Sequence, residues 1–291
     1  MSILVTGSTG KIGSQVVSKL VAKGAQVRAM TRSPEKAAFP AGVEAVKGDL
    51  LDTASVRTAL QGVSTLFLLV PNSPDEITQA MNTVGLAHDA GVRGIVYLSV
   101  TRSDVFADVP HFASKHAVER MMAQRGIGAT VLRPSYFIQN DLGQKEPILG
   151  GGVYVSPIGD KGVSMVDTDD IAEAAVLELL RREKSATPLP IQVYELVGPD
   201  ALTGQDVARI WTEALGREVK YGGNDLDAFE NKMAQFAPGW MAYDMRLMMH
   251  RYQEDGAAAS KADVERLATL LGRAPRGYRD FAHATAKGWT A

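Results

Sequence analysis

Gly7-Ser8-Thr9-Gly10-Lys11-Ile12-Gly13 is the stretch of sequence that decides the fold. It follows the apolar run Ile3-Leu4-Val5 and opens a helical pattern over residues 11–23. Glycines let a backbone approach phosphates closely, and the first turn of a helix offers unpaired N–H groups with partial positive charge. A strand, a glycine turn and a helix in this order therefore predict a seat for the pyrophosphate of a dinucleotide.

The composition narrows the class of protein. The chain has 291 residues, enough for one large domain or two smaller ones, and a net charge of −2. That charge favours neither a nucleic-acid-binding surface nor a polybasic membrane anchor. Cysteine is absent, which excludes disulfides and thiolate chemistry. No apolar stretch approaches the ~20 residues of a membrane span, and the first strand leaves no room for a signal peptide, so we expect a cytoplasmic protein.

Short apolar runs alternate with longer helical patterns as far as Arg133. Strands are predicted over residues 3–6, 26–31, 43–47, 65–70, 94–99 and 129–133. Helices are predicted over residues 11–23, 53–61, 75–90 and 112–125. The helices are followed by glycines, where left-handed backbone belongs, at Gly24, Gly62, Gly91 and Gly126. The alternation predicts an α/β fold with a doubly wound parallel sheet of the Rossmann type.

The rhythm changes in the second half of the chain. We expect an NAD(P)-binding domain over residues 1–150 and a smaller, mainly helical substrate lobe over residues 151–291. About residues 165–197, a helix and a strand, are expected to fold back onto the main sheet. Three acids lie at the start of the helix in this segment: Asp167, Asp169 and Asp170. They are expected to stabilise the first turn of that helix rather than to act as catalytic acids.

A methionine-rich face lies on a late helix, at Met241, Met245, Met248 and Met249. Such a face usually packs against the core of its domain. The second interpretation is a wall of an adaptable pocket for a flat or apolar substrate. Packing is the interpretation that the sequence favours.

The end of the second strand indicates the choice of cofactor. NAD-specific sites usually place an acid on the ribose hydroxyls about 20 residues after the glycines. Here that position carries Arg32, followed by Ser33 and, one turn on, Lys36. A guanidinium fork suits a 2′-phosphate, so NADP is predicted over NAD. The alternative for Arg32 and Lys36 is an ordinary solvated surface position.

Two further segments at strand ends are predicted to touch the cofactor. Asp49, after the third strand, suits the adenine amino group, with Leu50 against the ring. Its other candidate role is to cap the helix that begins at Thr53. Leu69-Val70-Pro71, after the fourth strand, is expected to line the cofactor's path.

Together these features resemble the NmrA-like branch of the atypical short-chain dehydrogenases/reductases. The glycines Gly7, Gly10 and Gly13 have the family's GxxGxxG spacing. Further segments resemble family segments in order along the chain: Thr31-Arg32-Ser33-Pro34-Glu35-Lys36, His111-Phe112-Ala113-Ser114-Lys115, Leu132-Arg133-Pro134-Ser135-Tyr136-Phe137 and Tyr194-Glu195-Leu196. The branch includes quinone and triphenylmethane reductases, isoflavone-reductase-like enzymes and cofactor-sensing regulators. The resemblance implies an NAD(P)-binding protein without specifying its substrate.

The resemblance also suggests catalytic residues. Dehydrogenases of the wider superfamily use a Tyr-x-x-x-Lys pair, in which lysine holds the nicotinamide ribose and tyrosine moves a proton. Here the register reads His111-x-x-x-Lys115, so the tyrosine is missing. Lys115 still suits the ribose, with a surface lysine as the alternative. Thr101 matches the superfamily's hydroxyl position, and Ser99 either contacts the nicotinamide or ends its strand.

The proton donor stays open at this stage. His111 is a candidate because imidazole groups commonly act as general acids, but it also suits a helix start bonded to backbone. Tyr136 follows the sixth strand and suits either a proton donor or a wall beside the substrate. The segment that contains Pro134 and Tyr136 is expected to lie beside the nicotinamide. A metal site from His111 and His116 lacks a third ligand at suitable spacing, so none is expected.

Two functions remain open. The first is an NADPH-dependent reductase that passes hydride to a small apolar acceptor such as a quinone or enone, which needs less help from a protein acid than a simple ketone. The second is a non-catalytic NADP(H) sensor that binds a partner protein. A nucleotide-sugar epimerase ranks below both, because such enzymes generally keep the tyrosine and an acidic strand tip. A homodimer is compatible with either function.

Overall fold

The computed structural model describes residues 2–290. Its strands are β1 (Ser2–Val5), β2 (Val27–Thr31), β3 (Glu44–Lys47), β4 (Val63–Leu68), β5 (Gly94–Leu98), β6 (Ala129–Pro134), β7 (Val153–Tyr154), β8 (Gln192–Leu196) and β9 (Lys220–Tyr221). Seven of them form one sheet in the order β3-β2-β1-β4-β5-β6-β8, while β7 pairs with β9. Every pairing from β3 across to β6 is parallel, which confirms the predicted doubly wound α/β fold.

The helices lie between and after these strands. They are α1 (Lys11–Ala22), α2 (Thr53–Ala59), α3 (Glu76–Asp89), α4 (Pro110–Gln124), α5 (Lys145–Gly151), α6 (Thr168–Lys184), α7 (Gly204–Leu215), α8 (Leu226–Met233), α9 (Gly239–Glu254), α10 (Lys261–Leu271) and α11 (Tyr278–Thr290). The four glycines predicted to end helices have φ between 63° and 76°, as expected for left-handed backbone. The segment around residue 150 holds α5, whose C-cap residue is the left-handed Gly152. No helix among residues 2–290 is both long and apolar enough to cross a bilayer.

The chain divides into two compact units. The first unit contains the residues up to Ser103, His111–Arg133 and Thr168–Tyr194. The second unit contains Asp104–Pro110, Pro134–Asp167 and the residues from Glu195 onward. The sequence places one division near residue 150, whereas the units interleave along the chain.

The first unit is built around the large sheet, whose central strands β4 and β5 are buried along their whole length. Helix α6 packs on α1, β4 and β5. Its buried Arg182 donates from Nε to the Thr130 hydroxyl at 2.7 Å and from the other nitrogens to the carbonyls of Leu189 and Pro190. A Cβ on Gly94 would lie 2.7 Å from Arg182 Cβ, so this glycine makes room for the helix. These contacts hold residues 168–194 in the first unit.

The second unit has a core of its own. Helix α7 begins with a capping box of Thr203 and Asp206 and buries Trp211 completely. Trp211 stacks on Trp289 of α11 with ring centroids 4.8 Å apart. Its indole nitrogen donates to the Tyr278 hydroxyl at 3.0 Å. This packing joins α7 to α11. The Tyr278 hydroxyl in turn donates to the buried Asp141, so the hydrogen bonds continue into the interior of the unit.

Candidate functional site

The glycine loop, residues 7–13, joins β1 to α1 at the point where the order of the sheet reverses between β1 and β4. Doubly wound proteins bind nucleotides at such switch points. Gly7 has a φ of 60°, a conformation that side chains rarely adopt. A Cβ on Gly13 would lie only 2.1 Å from the Gly7 carbonyl oxygen. Only glycine at position 13 lets the helix begin this close to the loop.

The N-terminus of α1 is available to an anion. Its N-cap residue is Gly10, no side chain caps it, and its first turn contains no acid. Thr9, Gly10 and Lys11 are exposed. The N–H groups of this first turn are not capped by any side chain, so they can donate hydrogen bonds to a pyrophosphate group.

Two hydroxyl groups fix the glycine loop to the neighbouring strands. The Ser8 hydroxyl donates to the Met30 carbonyl at 2.8 Å, so the proton of this buried side chain is already used within the protein. The Thr6 hydroxyl donates to the Leu69 carbonyl and accepts from the Leu69 amide, both at 2.9 Å. The sequence reasoning missed Thr6, although a threonine ending the strand before the glycines was a usable signal.

The segment after β2 carries two cations that the protein itself does not use. Arg32 and Lys36 are exposed, and their side chains have no hydrogen-bond or ion-pair partner among residues 2–290. Arg28 on the same strand behaves differently, since its guanidinium binds Glu44 at 2.8 Å. Ser33 is half-buried. An uncommitted guanidinium with a second cation nearby fits a phosphate group.

The structure corrects one interpretation at Asp49. Helix α2 is capped by Asp52, which accepts from the amides of Ala54 and Ser55, so the capping role considered for Asp49 is wrong. Asp49 is too far ahead of the helix and instead accepts from the Leu51 amide at 3.0 Å. Its contact with adenine stays a prediction.

The other strand-end residues differ in exposure. Leu50 packs partly against the core of the first unit, which leaves only part of its side chain for an adenine ring. In the segment after β4, Leu69 is half-buried, Val70 is buried and Pro71 is exposed. Their predicted contacts with the cofactor are not tested by these observations.

Lys115 lies on α4 and forms an ion pair with Glu76, the first residue of α3. The side chains are 13% and 4% exposed, so Lys115 is not a surface lysine. An ion pair at this depth fixes the ammonium group in one place, since breaking it would leave a buried charge unpaired. The sequence reasoning missed Glu76. Ribose binding by Lys115 stays a prediction.

A second buried carboxylate, Glu119 of α4, organises the residues after β5. It accepts hydrogen bonds from the hydroxyls of Ser99 and Ser103 and from the Arg133 guanidinium, the last at 2.6 Å. The Ser99 hydroxyl is therefore engaged within the first unit. Thr101 is buried, at 6% exposure. Burial, with the charges of Glu76 and Glu119, raises the pKa of Tyr97 and keeps that buried phenol neutral.

His111 is the second residue of α4, and its ring meets the edge of Phe112 at a centroid distance of 4.6 Å. Its carbonyl accepts from the Ser114 hydroxyl at 3.0 Å. The Nδ1 of His116 lies 4.0 Å from Glu119 rather than beside His111. No group of three potential metal ligands occurs in the described part of the chain.

The second unit contains a cavity of about 600 Å³. Most of its wall is apolar, and its lining includes Tyr136, Ser156, Phe229, Met245, Met248 and Met249. Met248 and Met249 are buried as well, so the methionine face of α9 both packs and lines the cavity. Met241 is not among the lining residues.

Beside this cavity lies a cluster that the sequence did not reveal. Asp141 is completely buried and accepts from the Tyr278 hydroxyl at 2.5 Å. The Tyr136 hydroxyl lies 3.5 Å from the other carboxylate oxygen, and Tyr154 also faces this group. Burial raises the pKa of Asp141 to about 7, against the opposing effect of the tyrosine hydrogen bonds. Burial, with the charge of Asp141, also raises the pKa of Tyr136, so the phenol stays protonated.

The glycine turn, the doubly wound sheet and the residues after each strand agree with a match to one family model. The model of the NmrA-like family covers residues 1–280. The chain belongs to the NmrA-like family. Among characterised proteins it is similar to the (4-alkanoyl-5-oxo-2,5-dihydrofuran-3-yl)methyl phosphate reductase of Streptomyces griseus, with 33% identity over 98% of both chains.

Two solved structures share the fold over nearly the whole chain. The NADPH-dependent quinone oxidoreductase of Escherichia coli, complexed with NADPH, has a TM-score of 0.84 at 26% identity, covering 97% of this chain and 99% of that one. The triphenylmethane reductase of Citrobacter sp., complexed with NADP(H), has a TM-score of 0.82 at 26% identity, covering 98% and 100%. Both complexes contain the cofactor that Arg32 predicts for this NmrA-like chain.

Three groups can be distinguished among the predicted residues. The glycine loop and the segment after β4 meet where β1 and β4 end. Ser99 and Lys115 are each fixed by a buried carboxylate of the first unit. Pro134 and Tyr136 belong to the second unit, where Tyr136 reaches the cavity.

Proposed function

We propose that this protein is an NADPH-dependent reductase of apolar, conjugated acceptors such as quinones and enones. The observation that carries the proposal is the pair of exposed cations, Arg32 and Lys36, which have no partner in the described chain and follow β2 of a nucleotide-binding sheet. The reductases to which the chain is similar along almost its whole length support the same conclusion.

The residues of the first unit fit the parts of NADPH. The amides of the glycine loop would hold the pyrophosphate. The loop keeps this shape because the backbone at Gly13 packs too closely on Gly7 to admit a Cβ atom. Arg32 and Lys36 would bind the 2′-phosphate. Lys115, held by Glu76, would donate to the nicotinamide ribose. When bound, NADPH supplies a hydride, which carries two electrons to the acceptor.

The cavity of the second unit suits a flat apolar acceptor. Its volume of about 600 Å³ is within the range of small-molecule sites. Methionine side chains adapt to irregular shapes and contact aromatic rings favourably, so Met245 and Met249 fit a series of related ring systems better than one rigid substrate. The similar Streptomyces griseus protein reduces, by its name, an oxo-dihydrofuran that carries an alkanoyl group and a methyl phosphate group. That compound belongs to the same conjugated class.

The test is NADPH oxidation in the presence of a benzoquinone, a naphthoquinone and a cyclic enone, each with an oxygen-free control. We expect turnover with at least one acceptor and a lower KM for NADPH than for NADH. Calorimetric titration with NADPH measures cofactor binding separately. Binding of NADPH with no reduction of any acceptor would overturn the reductase function and favour the alternative, a non-catalytic NADP(H) sensor.

A further inference from the structure

We propose that Tyr136 protonates the reduced acceptor and that Asp141 restores the proton to Tyr136. This inference deepens the proposed function and rests on it, because it assigns the proton donor of the same reaction. The missing tyrosine of the Tyr-x-x-x-Lys pair leaves that donor unassigned, and the second unit offers a phenol in a different place.

Tyr136 has the geometry of a donor. It is one of several polar side chains that line a mainly apolar cavity. Ser156, which accepts from the Gln144 side chain at 2.9 Å, is another polar lining residue. A ligand in the cavity would therefore meet a phenol with a proton to donate. Tyr252 packs edge-on against the Tyr136 ring at a centroid distance of 6.4 Å.

Asp141 has the geometry of a proton reservoir. It lies behind Tyr136, completely buried, with its Oδ1 atom 3.5 Å from the Tyr136 hydroxyl. A distance of this length is at the outer limit of a hydrogen bond, and catalytic contacts often shorten when the substrate binds. The Oδ2 atom is held by Tyr278, whose hydroxyl is held in turn by Trp211. The carboxyl group is thus positioned independently of the cavity.

The groups that face Asp141 are phenols rather than cations. They come from the segment after β6, from β7 and from α11, as Tyr136, Tyr154 and Tyr278. Tyr252 of α9 lies beyond Tyr136. A buried carboxyl group surrounded by neutral phenols keeps its proton to higher pH than an exposed one. Asp141 is consequently an acid that still holds a proton near neutral pH.

The proposed step balances in atoms and charge. The acceptor gains two electrons with the hydride and becomes an anion. The O–H bond of Tyr136 breaks, and its proton forms an O–H bond on that anion, which yields the neutral hydroquinone from a quinone. The tyrosinate takes the proton of the Asp141 carboxyl group, and Asp141 regains a proton from water. One proton is consumed for each acceptor reduced.

The proton transfer from Tyr136 can be tested with two acceptors, of which only one needs a proton after it receives hydride. A quinone needs one, whereas a cationic triphenylmethane dye becomes neutral on receiving hydride alone. Tyr136→Phe should lower kcat with the quinone roughly 100-fold, the scale of general acid catalysis, and leave kcat with the dye within about threefold. The matched control is Tyr243→Phe, which alters an exposed tyrosine outside the cavity lining and should leave both rates unchanged.

Asp141→Asn tests the reservoir. The quinone kcat of the unaltered protein should fall as the pH rises above about 7, and this dependence should disappear in the variant. Infrared difference spectra without cofactor should show a protonated carboxyl band that titrates in the same range and is absent from Asp141→Asn.

Three results would overturn the proposal. They are an undiminished quinone rate in Tyr136→Phe, an equal loss with both acceptors, and an unchanged pH profile in Asp141→Asn. No turnover of any acceptor by the unaltered protein would overturn the proposed function itself and this inference with it.

Discussion

The pH dependence of stability should change sharply when Asp141 loses its ability to ionise. In the folded protein burial raises the pKa of this carboxyl from 3.8 to about 7. The folded state therefore binds a proton that the unfolded chain releases, and the stability tied to that proton is full below about pH 4 and is lost as the pH rises to about 7. A rise of this size corresponds to about 4 kcal/mol in total, of which about 3 kcal/mol falls between about pH 5 and pH 8.

Asp141→Asn replaces the protonated acid with an uncharged group of the same shape, so it should resemble the unaltered protein at low pH and be more stable at high pH. For a chain of this size about 3 kcal/mol corresponds to roughly 5–10 °C in Tm. Thermal unfolding at about pH 5 and pH 8, for both proteins, measures the difference. A stability gain that is the same at both pH values would refute the reasoning, because it would show that Asp141 does not carry the buried proton.

The same substitution at an exposed acid provides the control. Arg251 holds the pKa of Asp108 below its usual range, chiefly through a hydrogen bond at 2.8 Å. This acid favours folding in its charged form, so its contribution is present above the unfolded pKa and is lost only in acid. Asp108→Asn should therefore give no stability gain at high pH.

Three further substitutions test the cofactor site. Arg32→Ala should weaken NADPH roughly 10- to 100-fold and NADH much less in calorimetric titration, with Arg57→Ala on α2 as the unaffected control; equal losses for both cofactors would contradict the phosphate role. Lys115→Ala should damage NADPH binding or kcat, and full activity in a folded variant would remove Lys115 from the site. Gly13→Ala should weaken NADPH binding severely, because its Cβ would lie 2.1 Å from the Gly7 carbonyl oxygen. The helical Gly85→Ala, where a Cβ would meet nothing nearer than 3.6 Å, should bind NADPH normally.

The sequence predicted those features that depend on local patterns. Glycines 24, 62, 91 and 126 marked helix ends correctly, because a left-handed residue after a helix is a local requirement. The buried strands of the sheet appeared as continuous apolar runs, and β4 shows why, since all its residues are buried. Arg32 could be chosen as a candidate for a similar reason, because its position relative to the glycines is fixed by one strand and one helix; its contact with a phosphate stays a prediction.

Contacts between distant segments were not predictable. Glu76 and Lys115 are 39 residues apart, and no spacing rule connects two helices that meet only in the folded unit. Asp141 and Tyr278 are 137 residues apart, and neither position carries a motif. The capping role considered for Asp49 failed for a local reason, since Asp52, three residues on, stands directly before the helix.

The interleaving of the two units constrains how such a protein can exchange parts with its relatives. The chain changes unit after residues 103, 110, 133, 167 and 194, so a recombination event with a single crossover at any of these points divides at least one unit between two parents. The cavity draws its wall from residues 136–156 and 222–249, which lie on either side of a segment belonging to the other unit. A chimaera that inherits an intact cavity from one parent must therefore take both stretches together, and a hybrid joined only at residue 194 would combine half a cavity from each.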